Sequence, residues 1–416
     1  MTHDIVLEQV VSHLDALLNI PRQVWLLGAG ISRDAGIPLM YPLTDRVESL
    51  LSDKKSPLKL SGQSQSANVY KVIKGELDKV SHVEHILSQL GDLISYTERK
   101  KDNKVEIGGQ STSAEELRLT HRHVQLAIRH TVECGFLRGS NGTADRIGTL
   151  DKPIVDRKYH DQFVDSLFTK RRAGLEQNPP IHFVTTNYDT LMEDALAHAH
   201  VGCVDGFSGG ATGFWDPRNR ERRLEQTQRL TRHTATICKL HGSVDWIADN
   251  NDVVMRVRST AIDSNDESQQ LLIYPQATKY QVTQRDPFAT LFAEFRSALG
   301  SAIPTVLIVC GYSFGDEHIN EEIERALKVG PSTLTLLALC SQTKDEDGKL
   351  TENMGLPDAI VRWMKHEQFC ERVIVAGSDG YYRGSLDNRV PDNSGFDWWT
   401  FKGITKLLSD GPEAIQ

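Results

Sequence analysis

Six short apolar runs recur along the chain: "QVWLL" (23–27), "IHFVTT" (181–186), "ATICKL" (235–240), "TVLIVC" (305–310), "LTLLALC" (334–340) and "RVIVAG" (372–377). They lack the apolar–polar alternation of a half-exposed strand and end in turn-forming residues. This predicts strands buried on both faces. Between several of them, apolar residues return at three- and four-residue spacings. "DTLMEDALAHAH" (189–200) and "DEHINEEIERALKV" (316–329) are the clearest cases, each opened by an aspartate suited to cap a helix. Strands alternating with helices predict an α/β fold built on a Rossmann-like, doubly wound parallel sheet.

The alternation is uneven. From Tyr41 to Pro180 no convincing sheet strand is found, whereas helical patterns run through 44–52, 79–94, 114–137 and 159–177. The expected organisation is therefore one Rossmann-like domain made of residues 1–40 and 181–416, interrupted by an inserted helical module at 41–180. Two polar stretches, 206–226 and 249–270, read as loops or small insertions, the second with a short hairpin. No internal repeat is visible.

Composition narrows the classes. The 416 residues are 39% hydrophobic and 25% charged, which is ordinary for a globular protein. A net charge of −9 disfavours sequence-independent binding to nucleic acid. The basic run "RNRERR" (218–223) reads as a solvated loop. "MTHDIVLEQV" has an acid where a signal peptide needs positive charge, and no apolar run approaches a membrane span. A cytoplasmic protein is expected. The six cysteines (134, 203, 238, 310, 340 and 370) form no Cys-x-x-Cys pair, so no metal is expected. The His-x-His pairs at 121/123 and 198/200 read as exposed helix histidines.

The chemistry gathers where the apolar runs end. They are followed by "GAGISRDAGIP" (28–38), "NYD" (187–189), "HGSVDW" (241–246), "GYSFGDEHIN" (311–320) and "GSDGYY" (377–382). Ligands of open α/β sheets bind beyond the carboxyl ends of the strands, so five polar junctions on that edge predict one shared crevice. Gly28 and Gly30 have the Gly-x-Gly spacing of a tight turn near a pyrophosphate, but Arg33 stands where a dehydrogenase places its third glycine. Hydride transfer is therefore disfavoured. Asn187 and Asp189, two apart at a strand end, can both face the crevice, or Asp189 can simply cap the next helix. His241 has the pKa range for proton traffic near neutrality, or serves in the core.

Taken together and in order, "GAGISRDAGIP", "TNYD", "KLHGS" and "GYSFGD" resemble the sirtuin family. More closely, they resemble the sirtuin-like domains of bacterial antiphage defence proteins. The resemblance implies cleavage of the nicotinamide–ribose bond of NAD, with NAD as substrate. It implies that Gly28, Ala29, Gly30, Ser32 and Gly36 cradle the diphosphate and line the nicotinamide side. Asn187 matches the family asparagine that positions ribose hydroxyls or water, Asp189 the aspartate near nicotinamide, and His241 the histidine acting as base. Gly311, Tyr312 and Ser313 match the segment contacting the adenosine ribose and phosphate.

Two departures shape the expected reaction. Deacylase sirtuins continue the first motif with an Asp-Phe-Arg run, and here "PLMYPL" follows. They also carry a four-cysteine zinc module after the histidine, whereas only Cys310 lies between His241 and Gly311. Water is then the simplest acceptor, and an NAD hydrolase acting as an abortive-infection effector is expected. The alternatives are an NAD-dependent protein deacylase and a non-catalytic subunit that binds NAD or ADP-ribose. The resemblance further implies a homo-oligomer and a neighbour-encoded HerA-like ATPase as partner, with a short Argonaute-like protein as second choice.

Overall fold

The computed structural model describes residues 2–139, 142–173, 179–210, 212–258, 270–273, 286–329, 333–391 and 397–415. Nine strands form the central sheet. In chain order they are β1 (Arg22–Leu27), β2 (Ile181–Thr185), β3 (Gly202–Val204), β4 (Thr234–Lys239), β5 (Thr305–Cys310), β6 (Leu334–Cys340), β7 (Val373–Gly377), β8 (Gly380–Arg383) and β9 (Ser385–Pro391). Their spatial order is β9-β8-β7-β6-β5-β1-β2-β4-β3. All pairings from β7 to β3 are parallel, and the last two strands fold back antiparallel. All six apolar runs are strands of this α/β sheet, to within a residue at each end.

Each buried strand feeds two cores. Val24 and Leu26 of β1 join an apolar cluster with Phe295, Ile319 and Trp363 on one face. Trp25 and Leu27 join a second with Leu14, Phe163, Met192 and Leu407 on the other. Side chains alternate across the pleat while both faces are covered, so the strands read as continuous apolar runs.

Four strand ends lie in one row. Leu27 pairs with Cys310 on one side and Thr185 on the other, and Thr185 pairs with Lys239. The chain reverses direction of sheet growth at β1, so β1 and β5 flank the topological switch point.

Between β1 and β2 the chain runs through four long helices, α1 (Met40–Ser52), α2 (Gln63–Glu76), α3 (Val83–Glu98) and α4 (Ala114–Cys134). The last starts at Ser113, whose hydroxyl accepts from the Glu116 amide while Glu116 answers the Ser113 amide, a reciprocal cap. These helices share a third apolar cluster, which continues into Val244, Ile247 and Ile273 of a separate five-stranded sheet.

Several expectations need correction. Residues 104–107 and 110–113 form a hairpin inside the segment read as helical, though outside the central sheet. The helical pattern at 159–177 is helix over Lys158–Val164 and a wider-turned helix over Asp165–Arg171, and 174–177 lie outside the described residues. "RNRERR" is not a loop. It opens the helix Arg220–Leu230, and Arg220 is buried against Glu294 at 2.7 Å. His123 is buried against Ser66 at 2.8 Å rather than exposed, because the helix carrying it is covered on more than one side. The hairpin expected in 249–270 is made by Gly242–Ala248 and Val254–Val257, and 259–269 lie outside the described residues.

Candidate active site

One or two residues beyond the row of strand ends stand the candidate functional groups. The Leu240 amide donates to the Thr185 carbonyl at 2.9 Å, which keeps the β2 and β4 ends level. Asn187 and His241, each two residues past the paired Thr185 and Lys239, therefore emerge side by side. Both are buried, at 7% and 3% exposure. The loop that carries Asn187 is tied to the segment that follows His241. Val244 donates its amide to the Tyr188 carbonyl at 2.9 Å, and Ser243 donates its hydroxyl to the same oxygen at 3.2 Å.

Ser32 ties this loop to the first motif. Asn187 donates through Nδ2 to the Ser32 hydroxyl at 3.1 Å, and that hydroxyl donates to Asp189 Oδ2 at 2.8 Å. Asp189 Oδ1 accepts from the Leu191 amide at 3.1 Å, so this aspartate both closes a turn before the helix at Leu191–His198 and faces Ser32. Asn187 Oδ1 is left buried with no hydrogen-bond partner among the described residues. A buried carbonyl oxygen in that state favours an incoming donor such as a sugar hydroxyl or a water.

His241 Nε2 is hydrogen-bonded to Asp316 Oδ2 at 3.0 Å, and its Nδ1 lies 4.0 Å from Glu84 Oε1. Glu84 comes from α3, is 4% exposed, and accepts the Tyr188 hydroxyl at 2.6 Å. Burial first, and the Glu84 carboxylate second, push the Tyr188 hydroxyl well above its ordinary range, so it donates at neutral pH. Asp316 also caps α5 (Glu317–Val329), accepting from the His318 amide at 3.0 Å. Asp316 was legible only as a cap. Glu84 was missed: in the sequence it is one acid on an amphipathic helix about 100 residues from its partner.

The glycines are placed differently from one another. Gly28 and Gly30 lie against Gly311, donating to the Cys310 and Gly311 carbonyls at 3.0 and 2.9 Å. Ala29 and Gly30 are partly exposed, and Gly28 is buried. Gly36, at φ +96°, lies away from the strand ends, where a Cβ would stand 2.8 Å from the Ile154 carbonyl. Tyr312 turns inward and its hydroxyl donates to the Asp316 carbonyl at 3.1 Å, while Ser313 is exposed.

The expected convergence of five junctions becomes four. The ends of β5, β1, β2 and β4 are neighbours, but β7 lies beyond β6, about 10 Å from β5 at two strand spacings. "GSDGYY" is a hairpin turn rather than a strand-to-helix junction. Gln342 Oε1 accepts the Asp379 amide at 2.8 Å, and Trp398 donates to the Gly377 carbonyl at 3.1 Å. Both groups close that end of the sheet.

Among the described residues no group of three or more His, Cys, Asp or Glu side chains is arranged to hold a metal ion. No helix among them is long and apolar enough to cross a membrane.

Residues 181–357 match the family model for the SIR2-like domain, which spans Asn187, Asp189, His241 and the 311–316 segment but stops short of half the chain. No curated protein sequence matches this chain. The match supports a sirtuin-like, NAD-utilising enzyme on a Rossmann-like α/β fold.

Proposed function

We propose that the protein is an NAD+ glycohydrolase that cleaves NAD to nicotinamide and ADP-ribose. The observation that carries this is the buried Asn187 Oδ1, unpartnered among the described residues, with His241 at the carboxyl end of the adjacent parallel strand. A ribose hydroxyl, or the water that attacks C1′, supplies the donor that this oxygen lacks.

Breaking the C1′–N bond sends its electron pair to nicotinamide and leaves positive charge on the ribose, as in glycoside hydrolysis. Fixed oxygens in a dry site stabilise such charge more than they would in water. Asp189, held by Ser32 and the Leu191 amide, supplies a carboxylate, and Asn187 supplies a carbonyl dipole. Water adds to C1′, and His241 is the base that takes its proton. The glycine turn at 28–30 packs beside Gly311 at the switch point, and the partial exposure of Ala29 and Gly30 suits the diphosphate.

Purified protein incubated with NAD is expected to release ADP-ribose and nicotinamide in equal amounts, and Asn187→Ala and His241→Ala to lose that activity. NAD that binds and stays intact under all conditions, including with a neighbour-encoded partner present, would overturn the reading. On the sequence resemblance, the same reading extends to a homo-oligomeric antiphage effector. Its partner would be a HerA-like ATPase, or second a short Argonaute-like protein.

A further inference from the structure

We propose that Tyr188 and Glu84 are positioning residues: the hydrogen bond from the Tyr188 hydroxyl to Glu84 anchors the loop carrying Asn187 and Asp189 to the helices between β1 and β2. Those helices then set the geometry of the site, although none of the strand ends belongs to them. The proposal deepens the NAD-cleaving reading and rests on it only for what the loop does.

Consecutive residues of the loop divide their side chains between two bodies. Asn187 and Asp189 both bond Ser32, beside the first glycine turn. Tyr188, between them, enters the third apolar cluster with Ile86, Leu87 and Leu90 of α3. An aliphatic residue would fill that position by packing alone. Tyr188 adds a directed bond: its hydroxyl donates to Glu84 Oε1 at 2.6 Å, with the two residues 6% and 4% exposed. Burial keeps the proton on that hydroxyl at neutral pH, and a bond to a carboxylate is stronger than one between neutral groups.

Both ends of the bond are fixed. Glu84 sits in the first turn of α3, where the Val83 amide donates to the Thr44 hydroxyl of α1 at 2.9 Å. The Tyr188 carbonyl accepts the Val244 amide at 2.9 Å, from the strand Gly242–Ala248 of the second sheet. That sheet is itself tied to the helices. Gln125 of α4 donates to the Leu271 and Ile273 carbonyls at 3.0 and 3.2 Å, and their strand pairs with Gly242–Ala248. Tyr188 is therefore gripped at its hydroxyl by the helices and at its backbone by a sheet that those helices hold. Its ring also stands 6.4 Å from that of His241, centroid to centroid, so a displaced Tyr188 disturbs both sides of the site. A misplacement of about 1 Å can cost about 100-fold in rate.

The full chain labelled with 15N-asparagine tests the anchoring by NMR without NAD, the Asn187 side-chain amide being assigned by its absence in Asn187→Ala. Tyr188→Phe keeps the ring and loses the bond, and is expected to shift the Asn187 resonances. Glu84→Gln still accepts the hydroxyl through its amide oxygen and is expected to leave them near their wild-type positions. Combining Tyr188→Phe with Glu84→Gln removes the buried charge left without its donor, which protects the fold. This double variant is expected to shift the resonances as Tyr188→Phe does. Tyr188→Phe, shown by circular dichroism to be folded at the assay temperature, is expected to lose about tenfold in kcat for NAD cleavage with KM little changed. Resonances unmoved by Tyr188→Phe, equal shifts in Glu84→Gln, or wild-type kcat in folded Tyr188→Phe each overturn the proposal. Shifted resonances in a protein that never cleaves NAD would sustain the anchoring and sink the functional reading instead.

Discussion

Gly28 and Gly311 meet backbone to backbone across the switch point: a Cβ on Gly28 would stand 2.5 Å from the Gly311 carbonyl oxygen and 2.5 Å from the Tyr312 Cα. Gly311 sits at φ +68°, where its own Cβ would be 2.6 Å from the Ile31 amide nitrogen. The pair fixes the distance between the first motif and the segment that leads to Asp316. Gly28→Ala must therefore push two strand ends apart, at about 1–3 kcal/mol for overpacking. Chemical denaturation without NAD is expected to show this loss. An unchanged midpoint would mean that the glycine serves a ligand and not the packing.

Ser32 is the joint between Asn187 and Asp189. Ser32→Ala removes the acceptor of Asn187 Nδ2 and the donor to Asp189 Oδ2 at once. Two buried polar groups lose partners, at about 1–3 kcal/mol each when nothing replaces them. On the proposed reading NAD cleavage is expected to fall about tenfold or more, since Asn187 and Asp189 lose their fixed orientation. Wild-type kcat in this variant would show that the hydroxyl is not the joint.

Lys239 is 1% exposed, and its ammonium donates to the Asp189 carbonyl and pairs with Glu193 at 3.0 Å. Burial holds the Glu193 carboxyl above its usual range, with Lys239 opposing. Lys239→Met strands that acid in the interior, and removing one partner of a buried pair costs about 3–5 kcal/mol. Adding Glu193→Gln is expected to recover much of the stability but not the tether to Asp189. Urea titration separates the two effects from activity. Additive losses in the double variant would contradict the pairing.

Acid sensitivity follows from three buried histidines. Burial, then Arg122, lowers His123 to about 4. Burial also lowers His130 and His160, with Arg46 adding to it in the first and Asp189 and Asp161 opposing it in the second. The unfolded chain takes up protons near 6.5 while these folded rings stay neutral, so the unfolded state binds more protons below that pH. Stability is expected to fall as pH drops from about 6.5 towards about 4. His123→Gln, which can still bond Ser66, is expected to flatten that slope in urea midpoints taken at several pH values. A slope unaltered by the change would acquit His123.

The sheet was readable because strands buried on both faces need unbroken apolar runs, and all six stand out as such. The edge strands and the second sheet were not, since 242–248 and 254–257 carry no distinctive period beside their polar neighbours. The place of Asn187, Asp189 and His241 just beyond strand ends was legible because polar residues follow the apolar runs. Buried helix histidines such as His123 were misread, because whether a helix face is covered depends on elements far away in the chain.

Sequence alone determined the parallel sheet and the edge on which the candidate groups collect, since both follow from local pattern and from the geometry of strand ends. Only the tertiary structure decided which junctions are neighbours, setting four together and turning "GSDGYY" away behind β6. It also decided what surrounds His241. Glu84 and Asp316 lie far from it along the chain, and no local propensity records that folding brings both carboxylates to one imidazole.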